Sequence, residues 1–151
     1  MRKIEFRGKR LDNGNWVCGD LINEPWGLVI QYYEVRMPKG AGAPEAKPTK
    51  RRVKATVDPS SVGQFSGLLD KNDVKVFEGD IVQFYRYSDM TSKHEKTDMS
   101  PVRFFRGAYM YDTKYVSERT LSSLWRPGES MEVIGNVYDS PELTATAELG
   151  G

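Results

Sequence analysis

Residues 57–82 decide the fold: Val57-Asp58-Pro59-Ser60-Ser61-Val62-Gly63-Gln64-Phe65-Ser66-Gly67-Leu68-Leu69-Asp70-Lys71-Asn72-Asp73-Val74-Lys75-Val76-Phe77-Glu78-Gly79-Asp80-Ile81-Val82. Turn chemistry interrupts every apolar run in this stretch before a long helix can form. Asp58 followed by Pro59 marks a helix start, with Asp58 as N-cap and Pro59 at the first helical position. Gly63 ends it, so a single turn is expected. Gln64 to Leu68 reads as a short strand, and Asp70-Lys71-Asn72-Asp73 as a tight turn whose side chains bond nearby amides. Val74 to Phe77 returns, and Glu78-Gly79-Asp80 turns again. Ile81 to Tyr87 alternates with the period of two that marks a half-buried strand.

Upstream the same grammar holds. Lys3 to Gly8 alternates Ile4 and Phe6 with charged neighbours, and Asp12-Asn13-Gly14-Asn15 is a strong hairpin signal. Trp16 to Ile22 returns as a strand, Asn23 to Gly27 turns, and the β-branched and aromatic run Leu28 to Val35 forms the next strand. Pro38 to Pro48 carries no large apolar residue beyond Met37 at its edge, so a mobile insert is expected over about 36–50. The basic run Thr49-Lys50-Arg51-Arg52-Val53-Lys54 leads out of it into a strand ending near Val57.

Downstream, residues 88–100 are polar and read as a second long loop. Val102 to Phe105 and Ala108 to Tyr111 form a hairpin about Arg106-Gly107. Ser117 to Trp125 is the best helix candidate, with Leu121, Leu124 and Trp125 at helical spacing. Met131 to Tyr138 is the last strand, Ser140-Pro141 opens a capped turn, and 144–151 reads as a frayed tail. Short strands separated by Gly, Asn and Asp turns predict a mainly β fold, a small barrel or roll with N-terminal strands and short helical turns. A chain of 151 residues is expected to form one domain.

Lys and Arg together number 22 and Asp and Glu 21, a formal net charge of +1. That balance argues against a dedicated nucleic-acid or membrane binder but leaves room for a local patch. One cysteine, Cys18, precludes an intrachain disulfide, and the opening residues lack the apolar core of a signal peptide. A soluble protein of the reducing cytosol is the simplest reading.

Three ordered stretches resemble the YopX family. They are Ile4-Glu5-Phe6-Arg7-Gly8 with Gly14-Asn15-Trp16-Val17-Cys18-Gly19; the run from Val57-Asp58-Pro59 through Val62–Asn72 to Val76–Val82; and Val133–Leu143. The sequence departs from the family pattern at the insert around 36–50, at the loop around 88–100, and at Asp73, where the family usually has Gly. The resemblance implies an SH3-like β-roll, usually phage- or prophage-encoded and so acting in the cytoplasm of a bacterial host. It carries no catalytic or ligand-binding residue set. The shared residues also read structurally: Gly67, Gly79 and Gly135 suit tight bends or close strand approach. Asp70, Asn72 and Asp80 fix turns, and Trp16, Phe65, Phe77 and Ile134 fill a thin core. Positive φ at Asp73 would make Asp73→Gly stabilising.

The chemical candidates are few. His94, the only histidine, lies in a polar stretch and reads as solvated rather than catalytic. Cys18 sits mid-strand beside Trp16 and Val17 and reads as a small buried hydrophobe; with His94 it is too little for a zinc site. Asp70, Asp73, Glu78 and Asp80 crowd together, but Lys71 and Lys75 interleave, so turn capping is favoured over a Mg²⁺ or Ca²⁺ site. Lys47, Lys50, Arg51, Arg52 and Lys54 could track a phosphate backbone, with Tyr32, Tyr33 and Tyr85 to stack bases. Their plainer reading is a solvated edge whose cations guard a strand against aggregation. The sequence therefore points first to a non-enzymatic module that binds a protein partner or a second copy of itself, with no cofactor. Nucleic-acid binding through Lys47–Lys54 comes second and a metal-assisted hydrolase using Asp70–Asp80 last. No membrane partner is expected.

Overall fold

The computed structural model describes residues 1–38, 47–111, 119–120 and 129–144, and the chain is mainly β with antiparallel sheets. It divides into two units, Glu5–Val62 and Gly63–Gly151 with Met1–Ile4.

The N-terminal unit is a meander of β1 (Phe6–Lys9), β2 (Trp16–Glu24), β3 (Gly27–Arg36) and β4 (Thr49–Thr56), in the spatial order β4-β3-β2-β1. Gly14, with φ +71°, takes the left-handed turn between β1 and β2 that the Asn-Gly pair predicts. Ile30, Ala55 and Val57 are buried. Gly8 lets Val57 and Ile30 approach, since a Cβ there would stand 3.0 Å from Val57 and 3.1 Å from Ile30. The expected single helical turn is a 3-10 turn, Pro59–Ser61, with the Asp58 carboxylate accepting from the Ser60 amide at 2.9 Å. Two bonds seat it on β1: the Asp58 amide donates to the Lys9 carbonyl, and the Lys9 amide to Ser61 Oγ, both at 2.8 Å.

The C-terminal unit holds β5 (Gly63–Leu69), β6 (Lys75–Phe77), β7 (Asp80–Ser88), β8 (Lys93–Pro101), β9 (Arg103–Phe105), β10 (Ala108–Tyr111), β11 (Arg119–Thr120) and β12 (Glu129–Asn136). β5 and β6 pair as a hairpin; β12-β7-β8 and β11-β10-β9 form two three-stranded sheets. Val76, Val82, Phe84, Val102, Tyr111 and Met131 make the core. The Phe84 and Tyr111 rings pack with centroids 4.3 Å apart. Full burial of one such side chain is worth roughly 1.5–3 kcal/mol, so this cluster anchors the unit.

Several expectations need correction. Most of the polar stretch 88–100 is strand: β8 pairs with β7 from Ile81↔Pro101 to Ser88↔Lys93. Its residues from Lys93 to Thr97 are exposed, so no apolar alternation announces it, and pairing comes from β7's backbone. Arg119 and Thr120, inside the expected helix, pair with Tyr111 and Met110 as β11; the rest of that helix lies outside the described residues. So do 39–46 of the insert and 145–151 of the tail. The insert's ends are ordered pairing partners, Arg36 opposite Thr49. Phe65 and Phe77 are buried as expected, but Ile134 is 39 % exposed and Trp16 only half-buried. Cys18 is exposed on β2 rather than buried, because its strand position points away from the face that holds Ile30.

Candidate functional site

β3 and β4 stay paired beyond the point where β2 leaves them. β2 pairs with β3 only as far as Asp20↔Gln31, whereas β3 and β4 continue through Tyr32↔Val53, Tyr33↔Arg52, Glu34↔Arg51 and Val35↔Lys50 to Arg36↔Thr49. Among the described residues, the last five pairs therefore form a two-stranded ribbon. At its root Gly19 of β2 lies against β3, where a Cβ would fall 2.1 Å from the Gln31 carbonyl oxygen and 3.1 Å from Tyr32 Cβ. Only a residue without a side chain permits that approach. Two strands alone are marginal in water, and cross-strand pairs worth roughly 0.2–1 kcal/mol each extend the sheet into the ribbon.

Directly opposed residues share a face. One face carries Tyr33, Val35, Lys50 and Arg52; the other carries Tyr32, Glu34, Arg36, Thr49, Arg51 and Val53. Four cations thus stand against one carboxylate. Among the described residues, no carboxylate lies within ion-pair distance of Arg36, Lys50, Arg51 or Arg52. Lys54, at the root, is compensated by Glu24 at 3.1 Å. Lys47 is exposed just before β4. Arg52 donates from Nη2 to Tyr33 Oη at 3.1 Å, and its guanidinium carbon lies 5.7 Å from that ring's centroid. On the other face Arg10, bonded to Asp12, donates to Tyr32 Oη at 2.9 Å. Tyr33 and Val35 are 56 % and 58 % exposed.

Of the remaining candidates, Asp70 and Asp80 hold backbone amides. Asp70 Oδ1 accepts from the amides of Asn72 (2.8 Å) and Val74 (3.0 Å), and Oδ2 from that of Val133 (2.9 Å), tying the β5–β6 turn to β12. Asp80, 1 % exposed, accepts from the Phe77 amide at 2.7 Å. Asp73 holds φ +61° in the turn. Among the described residues, no three His, Cys, Asp or Glu side chains gather as a metal-holding group. His94 is an exposed strand residue packed edge-on against Tyr87, ring centroids 5.3 Å apart. Tyr85 does not join the basic run; it donates to Glu132 Oε2 at 2.8 Å, with Lys71 Nζ 3.1 Å from the same oxygen. The hydrogen bond from Tyr85, then that from Lys71, hold the Glu132 carboxyl below the usual carboxylate range.

With this geometry in hand, a family profile described as YopX protein matches residues 5–145. The chain belongs to the YopX family. No curated protein matches it. Among solved structures, this YopX-family chain is similar to a protein from Enterococcus faecalis known from its crystal structure. The TM-score is 0.53 at 21 % identity, covering 95 % of this chain and 99 % of the other, a likeness of fold. The match spans the ribbon strands as well as the stretch around Asp70 that carries the resemblance. Among the described residues, no helix of this YopX-family chain is long and apolar enough to cross a membrane.

The sequence reading gathered Lys50, Arg51 and Arg52 with Tyr32 and Tyr33, and the register brings these together. It missed Glu34, Val35 and Arg36 as ribbon neighbours, and the division of the cations between two faces. It also missed Arg7, Lys9 and Trp16, which share one side of the β1–β2 pair; Arg7 and Lys9 stand 4.9 and 5.9 Å from the Trp16 ring centroid. The available signal was alternation within Lys50–Val53, which puts successive cations on opposite sides of a strand.

Proposed function

We propose that this YopX-family protein is a non-enzymatic binding module whose macromolecular partner docks on the β3–β4 ribbon. The observation that carries the reading is a two-stranded ribbon with four cations to one carboxylate, which leaves Tyr33 and Val35 exposed on one face while Tyr32, Glu34 and Val53 on the other are half-buried. Stability alone favours neither feature. Neighbouring like charges repel, and apolar surface in water is unfavourable until something covers it. A partner of opposite charge relieves both. The hydrogen bonds of Asp70 and Asp80 to backbone amides support the non-enzymatic part, since these carboxylates have a structural task. The SH3-like roll and the phage or prophage origin implied by the family belong to the same proposal, as does action inside a bacterial host.

The test is capture from bacterial lysate by the full chain and by a Val35→Thr/Lys50→Gln/Arg52→Gln variant, with bound protein and nucleic acid both analysed. Loss of the captured fraction in the variant is expected. Equal capture by both chains would refute the ribbon as the binding element. So would a variant that aggregates while binding the same partner, because the cations would then be strand guards only.

A further inference from the structure

We infer that the ribbon's ligand is duplex DNA, with the ribbon lying in the major groove. This rests on the ribbon being the binding element and adds the identity of its partner. Three observations favour that occupant.

The first is width. Among the described residues, no third strand pairs with β3 over Tyr32–Arg36 or with β4 over Thr49–Val53. The major groove of B-DNA, about 12 Å wide, admits a two-stranded β-ribbon but not a broader sheet. Five paired residues span about 17 Å, long enough to follow several base pairs.

The second is the placement of charge. Arg36 and Arg51 lie on one face, Lys50 and Arg52 on the other. A protein partner docking on a flat surface meets one face. With the Tyr33 and Val35 face turned to the base edges, Arg36 on β3 and Arg51 on β4 are long enough to bend past the two strand edges toward the phosphate walls. The near-neutral whole chain, formally +1, makes this a local attraction rather than a global one.

The third is the side chains between the cations. Val35 and Tyr33 flank Lys50 and Arg52 on their face and are exposed. Small apolar groups meet thymine methyls in the major groove. The deep, narrow major groove of an RNA duplex offers no such access.

The experiment is titration of a fluorescent 20-base-pair DNA duplex with the full chain across a salt series. The same sequence as single-stranded DNA and as duplex RNA runs in parallel. Four phosphate contacts predict a log–log salt slope of about −3.6, or about 10²-fold weaker binding between roughly 50 and 200 mM salt. The Lys50→Gln/Arg51→Gln/Arg52→Gln variant should flatten the slope to about −0.9. Lys50→Arg/Arg52→Lys, which keeps the charges, should restore it. Circular dichroism melts confirm that each variant folds. Tighter binding to single-stranded DNA or duplex RNA overturns the groove assignment, as does an unchanged slope in the triple variant. No binding to any nucleic acid, alongside ribbon-dependent capture of a protein, overturns this inference and leaves the ribbon reading standing. Capture that ignores the ribbon removes both.

Discussion

Two antiparallel pairs, one in each unit, look alike as secondary structure and differ in how their charges are balanced. In β7–β8, Arg86 lies opposite Glu95 on one side and Glu129 of β12 on the other, and Tyr85 is bonded to Glu132. Thr91 adds a bond to Glu95 at 2.7 Å. In the β3–β4 ribbon, among the described residues, Glu34 is the one carboxylate opposite four cations, and no third strand pairs with it. The first pair is bound into a sheet over the Phe84–Tyr111 core; the second half-buries Tyr32, Glu34 and Val53 on one face and leaves Tyr33 and Val35 exposed on the other. The difference separates residues kept for folding from residues available for a partner.

The sharpest way to break this contrast is to truncate one side chain from each pair. Phe84→Ala should cost about 3–5 kcal/mol by denaturant midpoint, because a ring 4 % exposed leaves a cavity against Tyr111. Val35→Ala should change stability by less than about 0.5 kcal/mol while weakening ligand binding. Comparable losses at the two sites would end the distinction. Next in size, Gly19→Ala should cost about 1–3 kcal/mol, since the new methyl meets the Gln31 carbonyl where the ribbon leaves the sheet. Amide exchange should quicken across Tyr32–Arg36 as well; an unperturbed ribbon would show that its root lies elsewhere.

Two smaller effects sharpen the folded side of the comparison. Asp73→Gly should stabilise by about 0.5–1 kcal/mol, because Asp73 holds φ +61° and glycine relieves the steric cost. A lower melting temperature would contradict the turn assignment. Glu132 should titrate below an ordinary glutamate when followed by carboxyl chemical shift. A depressed folded pKa gives stability that is present above the unfolded value and lost as pH falls through the folded one. The Glu132 contribution is therefore lost on the acid side, and Tyr85→Phe should move the titration upward. An unmoved midpoint would show that Lys71 alone sets it.

Much of the frame was legible because turn chemistry is local. Asp58-Pro59 set the 3-10 turn, Arg106-Gly107 the β9–β10 hairpin with φ +49° and +79°, and Asp70 its own amides. β8 was illegible because residues Lys93 to Thr97 are exposed, leaving no alternating apolar face to read. Ile134 misled because the register shift between Val133 and Gly135 interrupts strict alternation. The basic run was visible as composition. Its place on a two-stranded ribbon depends on pairing with Tyr32–Arg36 across the residues that separate the strands, and on β2–β3 pairing ending at Asp20↔Gln31. Neither is encoded in the run itself.

The most direct test is ¹⁵N chemical-shift mapping of the full chain against a short DNA duplex at low salt. The account predicts shifts concentrated on Tyr32–Arg36 and Thr49–Lys54 and their collapse as salt is added. Shifts centred on the β7–β8 pair, or a spectrum unchanged by the duplex, would contradict it.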